Sequence, residues 1–342
     1  MPALSLGALT SKGLPACGTR NAEPFGAPAD ARSRPCQSGK RQHQARHTGI
    51  GFKIPDIDSE ACFVPDHSYR LLDNIVDEVR AGVTAKGIGK LPYDREAIIS
   101  LNTLIGDTLA KYNFGLYVPT DSLADALAAR NKPGQPERYL IDCDTSSMIY
   151  LTVANSLKLH ASLVEITLQS GAGHNNVRWQ LPDGYLDWDT NGRGQCVTPS
   201  GLASHEGRAM SERQVLGYAF GIRGDQQLKR ANPGAAIADF RQSISMYPES
   251  PKSANNFAWM YATKLFPGRE EPKGEAMENT EKAVRIERNA NNVDTYACVL
   301  AAVGRFSDAV TIATEAVAMD DSDVFRDRLA KLKAGQDCIG AE

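Results

Sequence analysis

CDTSSMIYLTVANSLKLHASLVEITLQSGAGHNNVRWQLPDGYLDWDT, running from Cys143 to Thr190, is the stretch whose reading decides the fold. Asp142, Asp144, Thr145 and Ser146 carry side-chain oxygens and stand just before an apolar run, which is how a helix starts. Met148, Leu151, Ala154 and Leu157 continue at helical spacing. Cys143 therefore falls at or just before a helix N-terminus. After His160 the period drops to two, with Leu163, Glu165 and Thr167 alternating against Val164, Ile166 and Leu168, so this segment predicts a strand. Gly171-Ala172-Gly173 predicts a turn. His174 opens a second strand that places Val177, Trp179 and Leu181 on one face. Pro182-Asp183-Gly184 predicts a tight turn into a third strand, YLDWDTN. That hairpin brings His174 and Asp189 to one end of a sheet.

The chemistry of the stretch follows from this placement. Unpaired backbone N–H groups and the positive end of the helix dipole favour a thiolate, the attacking form of cysteine, and can also hold an oxyanion. Adjacent carboxylates, here Asp142 and Asp144, act in the opposite sense. In the catalytic reading Cys143 attacks a carbonyl carbon, His174 takes the thiol proton, and Asp189 fixes the imidazole tautomer. Asp187, two residues earlier on the same strand face, is the alternative third member; Asp189 is preferred because it stands nearer the strand end. Taken singly, each residue also fits a structural role: a small core cysteine, a surface histidine. Cys196 is a rival thiol without a helix start. No cofactor is expected, and no metal site, since Asp187 and Asp189 lack further ligands.

Outward from the centre, residues 53–140 read as helices. SYRLLDNIVDEVRAGV sets Leu71, Leu72, Ile75, Val76 and Val79 on one face, with Ser68 as the expected N-cap and Gly82 near the end. REAIISLNTLIGDTLAKYNFG repeats the pattern, and DSLADALAARNKPG predicts a short third helix. His67 and Cys62 have no partners at metal-ligand spacing. Residues 1–52 are poor in large apolar side chains and read as a disordered tail, including the basic cluster from Gly39 to His47. The opening residues lack the charge and the apolar length of a secretory signal. On the other side, residues 192–211 form a Gly-rich connection. From 212 the helical period holds throughout, and residues after about 334 are expected to fray.

Composition bounds the rest. A chain of 342 residues with 42% hydrophobic residues fits two globular domains plus a tail. A net charge of −3 gives no basic field, so no nucleic-acid partner is expected. No apolar run is long enough to span a membrane. The seven cysteines are scattered and odd in number, without CxxC spacing. This predicts neither a disulfide framework nor a zinc site, and reduced thiols in a cytoplasm.

Cys-Asp-Thr-Ser opening a helix, then Gly-His-Asn-Asn-Val-Arg-Trp, then Asp-Gly-Tyr-Leu-Asp-Trp-Asp-Thr, resembles the transglutaminase-like superfamily of papain-type cysteine domains over about 50 positions. The resemblance implies a Cys-His-Asp triad at Cys143, His174 and Asp189; the acidic neighbours of Cys143 depart from members that carry an aromatic residue there. Further on, Ala236, Phe240 and Pro248 match the end of a tetratricopeptide repeat, with Gly224 as the small residue of its first helix. Ala297, Gly304, Phe306, Ala309 and Ala316 fit a further unit, and Ala258 and Tyr261 lie in register between them. The expected fold is therefore α+β: a transglutaminase-like helix-plus-antiparallel-sheet domain over 53–205, then an all-α tetratricopeptide-type domain over 212–334. The function it implies is a cysteine enzyme, hydrolase or acyl transferase, acting on a protein or peptide substrate, with a protein partner on the repeats. The competing reading is a catalytically inactive scaffold of the same fold.

Overall fold

The computed structural model describes residues 53, 66–88, 93–116, 123–127, 139–167, 173–190, 207–266 and 272–338. The expected tail, Cys62, Cys196 and most of the Gly-rich connection lie outside these residues. Three helices come first or nearly so: α1 (Asp66–Ala85), α2 (Arg95–Lys111) and the short α3 (Leu123–Ala126). Strands β1 (Phe114–Leu116) and β2 (Tyr139–Ile141) form a separate parallel pair. Helix α4 (Cys143–Ser156) follows directly, and then strands β3 (Ala161–Thr167), β4 (Gly173–Leu181), β5 (Gly184–Trp188) and β6 (Arg208–Ala209). These four make an antiparallel sheet in the order β5-β4-β3-β6. The protein is thus a mixture of helices and a small antiparallel sheet, predominantly helical.

Two boundaries differ from the sequence reading. Helix α1 begins at Asp66, so Ser68 lies inside it, fully buried, with its hydroxyl unpartnered. It is not the N-cap. His67 is instead a structural link: its Nε2 stands 3.2 Å from the Leu127 carbonyl oxygen just past α3. Strand β5 ends at Trp188, which leaves Asp189 and Thr190 in the loop beyond it. The Gly-rich connection contributes β6, which pairs with β3 through Val164 and Glu165.

Period and burial agree along the sheet. Val177, Trp179 and Leu181 of β4 face Leu163, Leu186 and Trp188, all buried, and this face packs under α4. The same core takes in Leu72, Ile75 and Val76 of α1 and Leu101 and Ile105 of α2.

Beyond the sheet come α5 (Glu212–Lys229), α6 (Pro233–Met246), α7 (Pro251–Ala262), α8 (Lys273–Ile286), α9 (Ala290–Ala302), α10 (Phe306–Met319) and α11 (Asp323–Lys333). They pack as successive neighbours: α5 on α6, α7 on α8, α9 on α10, with α11 against α10. Small residues set the spacing. A Cβ on Gly224 of α5 would sit 2.6 Å from the Phe240 ring of α6, and Phe240 is fully buried. Ala236, Ala258, Ala297, Ala309 and Ala316, all fully buried, play the same part in the later helices. Val215, Tyr218 and Ala219 of α5, with Tyr247 just past α6, join the core of the first helices and sheet, so the apolar interior runs across from one part to the other.

Residues 335–338, expected to fray, are tied down. Cys298 of α9 and Cys338 are joined by a disulfide, and Lys264 pairs with Asp337 at 2.9 Å. This corrects the expectation of reduced thiols throughout. No helix among the described residues is long and apolar enough to cross a membrane. Closing 40 residues of chain restricts the unfolded state, so Cys338→Ser should lower stability by about 2–5 kcal/mol. Denaturant unfolding with and without reductant checks this: reductant should bring the wild type down to the variant and leave the variant unmoved.

Candidate active site

Helix α4 presents Cys143 as its first residue. Asp142 is the N-cap, in an extended conformation, and its Oδ1 accepts the Thr145 N–H at 3.0 Å and the Thr145 hydroxyl at 2.8 Å. The Asp142 N–H in turn donates to Thr145 Oγ1 at 3.0 Å, which completes a capping box. The far end is held as well: Arg80 of α1 donates to the Ser156 carbonyl oxygen, where a cation complements the helix dipole. Cys143 is buried, 6% exposed, yet it stands outside the apolar core that the rest of α4 joins. Its thiol lies 3.4 Å from Asp144 Oδ1, to which it donates.

The other two predicted residues meet each other. His174 Nε2 stands 3.2 Å from Asp189 Oδ1, at the open end of the β4–β5 hairpin, and His174 is 6% exposed. Asp187 is engaged elsewhere. Its two oxygens accept Arg178 Nε and Nη2, both at 2.7 Å, in a bidentate cross-strand pair, with the Arg178 guanidinium 4.0 Å from the centre of the Tyr185 ring. That pairing makes Asp187 a strut of the hairpin and leaves Asp189 as the carboxylate at the imidazole.

Three contacts tie the hairpin end to the start of α4. Asn175, next to His174, donates from Nδ2 to Asp144 Oδ1 at 2.5 Å. Thr190, next to Asp189, shares a short hydroxyl contact of 2.5 Å with Ser146 and another of 3.3 Å with Ser147. Each of the three candidate residues is therefore a short step along the chain from a side chain bonded across to another's segment.

Two participants escaped the sequence reading. Asn175 was legible only as one residue of a polar strand start. Tyr218, on α5, donates to Asp144 Oδ2 at 2.8 Å and accepts from Asn175 Nδ2 at 3.1 Å. Nothing in a pattern announces a contact across 74 positions. Burial, the Asp144 charge and the Glu165 charge all push the Tyr218 hydroxyl well above its ordinary value, so it remains a donor. Glu165 of β3, paired with Asn175 across the sheet, accepts the Tyr247 hydroxyl at 3.3 Å. Burial pushes its carboxyl above the ordinary carboxylate value; Lys252 opposes this and Asp144 adds to it.

No family model matches the chain, and no curated protein matches it either.

The Glu165 shift has a thermodynamic consequence. With its folded value raised above the unfolded 4.5, the folded state holds the proton more tightly. The stability this confers is complete below 4.5 and is lost as pH rises through the raised value. Glu165→Gln keeps the shape without the charge. Urea unfolding of both proteins at a series of pH values should show the wild type losing stability relative to the variant as pH climbs above the ordinary carboxylate range.

Proposed function

We propose that the chain is a cysteine enzyme of transglutaminase-like type, acting on an amide or peptide carbonyl as a hydrolase or acyl transferase. The observation that carries this reading is the His174–Asp189 contact of 3.2 Å at a sheet end stitched to the helix start that bears Cys143. With Nε2 at Asp189, Nδ1 is the imidazole nitrogen that would take the thiol proton. Cys143 would attack the carbonyl carbon, and the proton held by His174 would pass to the leaving amine. The resulting thioester would then be cleaved by water or by an amine. The positive end of the α4 dipole is suited to the oxyanion. The helical stack is read as tetratricopeptide-type repeats that bind a protein partner; its buried Gly224–Phe240 contact and alanine seams support that reading. The Cys298–Cys338 disulfide favours an oxidising compartment over the cytoplasm.

The second reading, an inactive scaffold, is favoured by the Cys143 thiol's donation to Asp144, because a thiol held by a carboxylate is not yet an ionised nucleophile. Alkylation of Cys143 by iodoacetamide across a pH series, followed by mass spectrometry of its peptide, separates the two. An enzyme should alkylate fast near pH ~6, with His174→Ala slowing that reaction at least about tenfold and Asp187→Asn leaving it unchanged. A profile with the midpoint of a free thiol, near ~8.5, and indifferent to His174, would establish the scaffold.

A further inference from the structure

The nucleophile's surroundings are not completed by the α/β part alone. Asp144, directly after Cys143, is the group best placed to suppress ionisation of the thiol, since a carboxylate beside a thiolate is a like-charge pair. Its two oxygens are both engaged: Oδ1 accepts the Cys143 thiol at 3.4 Å and Asn175 of β4 at 2.5 Å, and Oδ2 accepts Tyr218 of α5 at 2.8 Å. Tyr218 is 9% exposed, and its hydroxyl also accepts from Asn175, which closes a three-membered ring of bonds. Two further observations show that this hydroxyl is held in place by the helical stack. A Cβ on the preceding residue, Gly217, would come within 2.9 Å of Met246 Cβ and of the Tyr247 backbone nitrogen, so α5 and the end of α6 approach as closely as backbone permits. Tyr247, brought in by that approach, bonds Glu165 on the neighbouring strand. The first hairpin of the stack thus delivers two tyrosine hydroxyls to two carboxylates on the side of the sheet where Cys143 begins its helix.

We propose that Tyr218 is a positioning residue for Cys143. By donating to Asp144 Oδ2 it holds part of the carboxylate's charge on the oxygen that does not accept the thiol, so that ionisation of the thiol depends on the docked first hairpin. The stack is then part of the catalytic unit and not only an appended partner-binding module. This deepens the cysteine-enzyme reading and rests on it.

The test is the alkylation profile of Cys143 in the full chain, which requires no substrate. Tyr218→Phe removes one hydroxyl and keeps the ring. It should move the profile to higher pH and slow alkylation at pH ~7 several-fold, with the thermal unfolding midpoint checked in parallel. Asp144→Asn should move the profile the other way, and adding Tyr218→Phe to it should move it no further, because the tyrosine acts through the charge that has been removed. Tyr247→Phe, which faces Glu165, should leave the profile in place. An unmoved profile in folded Tyr218→Phe, or an equal effect of Tyr218→Phe in the Asp144→Asn background, overturns the proposal. Asp144→Asn leaves the tyrosine intact, so an unmoved profile there overturns it even if Tyr218→Phe does not fold. The His174→Ala result reports separately: indifference to His174 with a response to Tyr218 would sink the enzyme reading and keep the electrostatic coupling.

Discussion

Helix α4 is enclosed on every side, and that enclosure is the constraint from which the arrangement follows. Twelve of its fourteen residues are buried, Thr145, Ser146, Ser147, Thr152 and Ser156 among them. A helix hidden all round must satisfy its polar atoms internally or through its neighbours. Thr152 and Ser156 bond back to the carbonyls of Met148 and Val153, at 2.8 and 2.7 Å. Tyr150 reaches the Asn102 carbonyl of α2 at 3.3 Å, and the first turn turns to Thr190. These neighbours fix the helix in rotation and in depth. The residue at its N-terminus, Cys143, is placed by packing on every side and not by a loop, which suits the nucleophile proposed above.

The enclosure also explains why the stack cannot be treated as a separate body. Burying α4 requires a lid over the end of the sheet where the hairpin opens, and α5 supplies it through Val215, Tyr218 and Ala219. Further out the stack returns to its own interior, built on Phe240, Phe257 and Met260 and then on Ala297, Val299 and Leu300. The last helix is closed by groups of mixed character. Arg328 of α11 pairs with the buried Asp294 of α9 and lies 4.5 Å from the centre of the Trp259 ring. Burial pushes Asp294 up to about 6 despite that guanidinium. A polar pair and a disulfide, four residues apart on α9, therefore fasten the C-terminal end of a stack held elsewhere by small apolar contacts.

How much of this was readable in the chain depends on the range of the interaction. The helix start at Cys143 was legible because capping is local: Asp142 and Thr145 are three residues apart. The β4–β5 hairpin was legible because the period of two and the Pro182-Asp183 turn fix its register, and that register carries Asp189 to His174. Gly224 and Phe240 were legible because two closely approaching helices need a small residue opposite a large ring. Ser68 was misjudged because a Ser before an apolar run looks like a cap, while α1 gains another turn from Asp66. The roles of Asp187 and Asp189 could only be ranked by distance to the strand end; the deciding fact, a bidentate Arg178, is a cross-strand pair. Tyr218, β6 and the Cys298–Cys338 link depend on tertiary approach, for which sequence spacing carries no signal.

The acidic residues beside Cys143 raise the sharpest physical question, and the two answer it differently. Asp142 points back into the capping box, where its charge meets the positive end of α4; there it stabilises the helix at the expense of some of the field available to the sulfur. Asp144 accepts the thiol itself on Oδ1 and, beside it, donors from a strand and from the stack. A carboxylate that accepts several good hydrogen bonds spreads its charge over them and is a weaker neighbour to a nearby anion than a bare one. The pair that looked in the sequence like an argument against a reactive thiol is therefore two separate groups with separate tasks. Only Asp144, whose partners come from elements far along the chain, leaves the reactivity of the sulfur open to control by the rest of the fold.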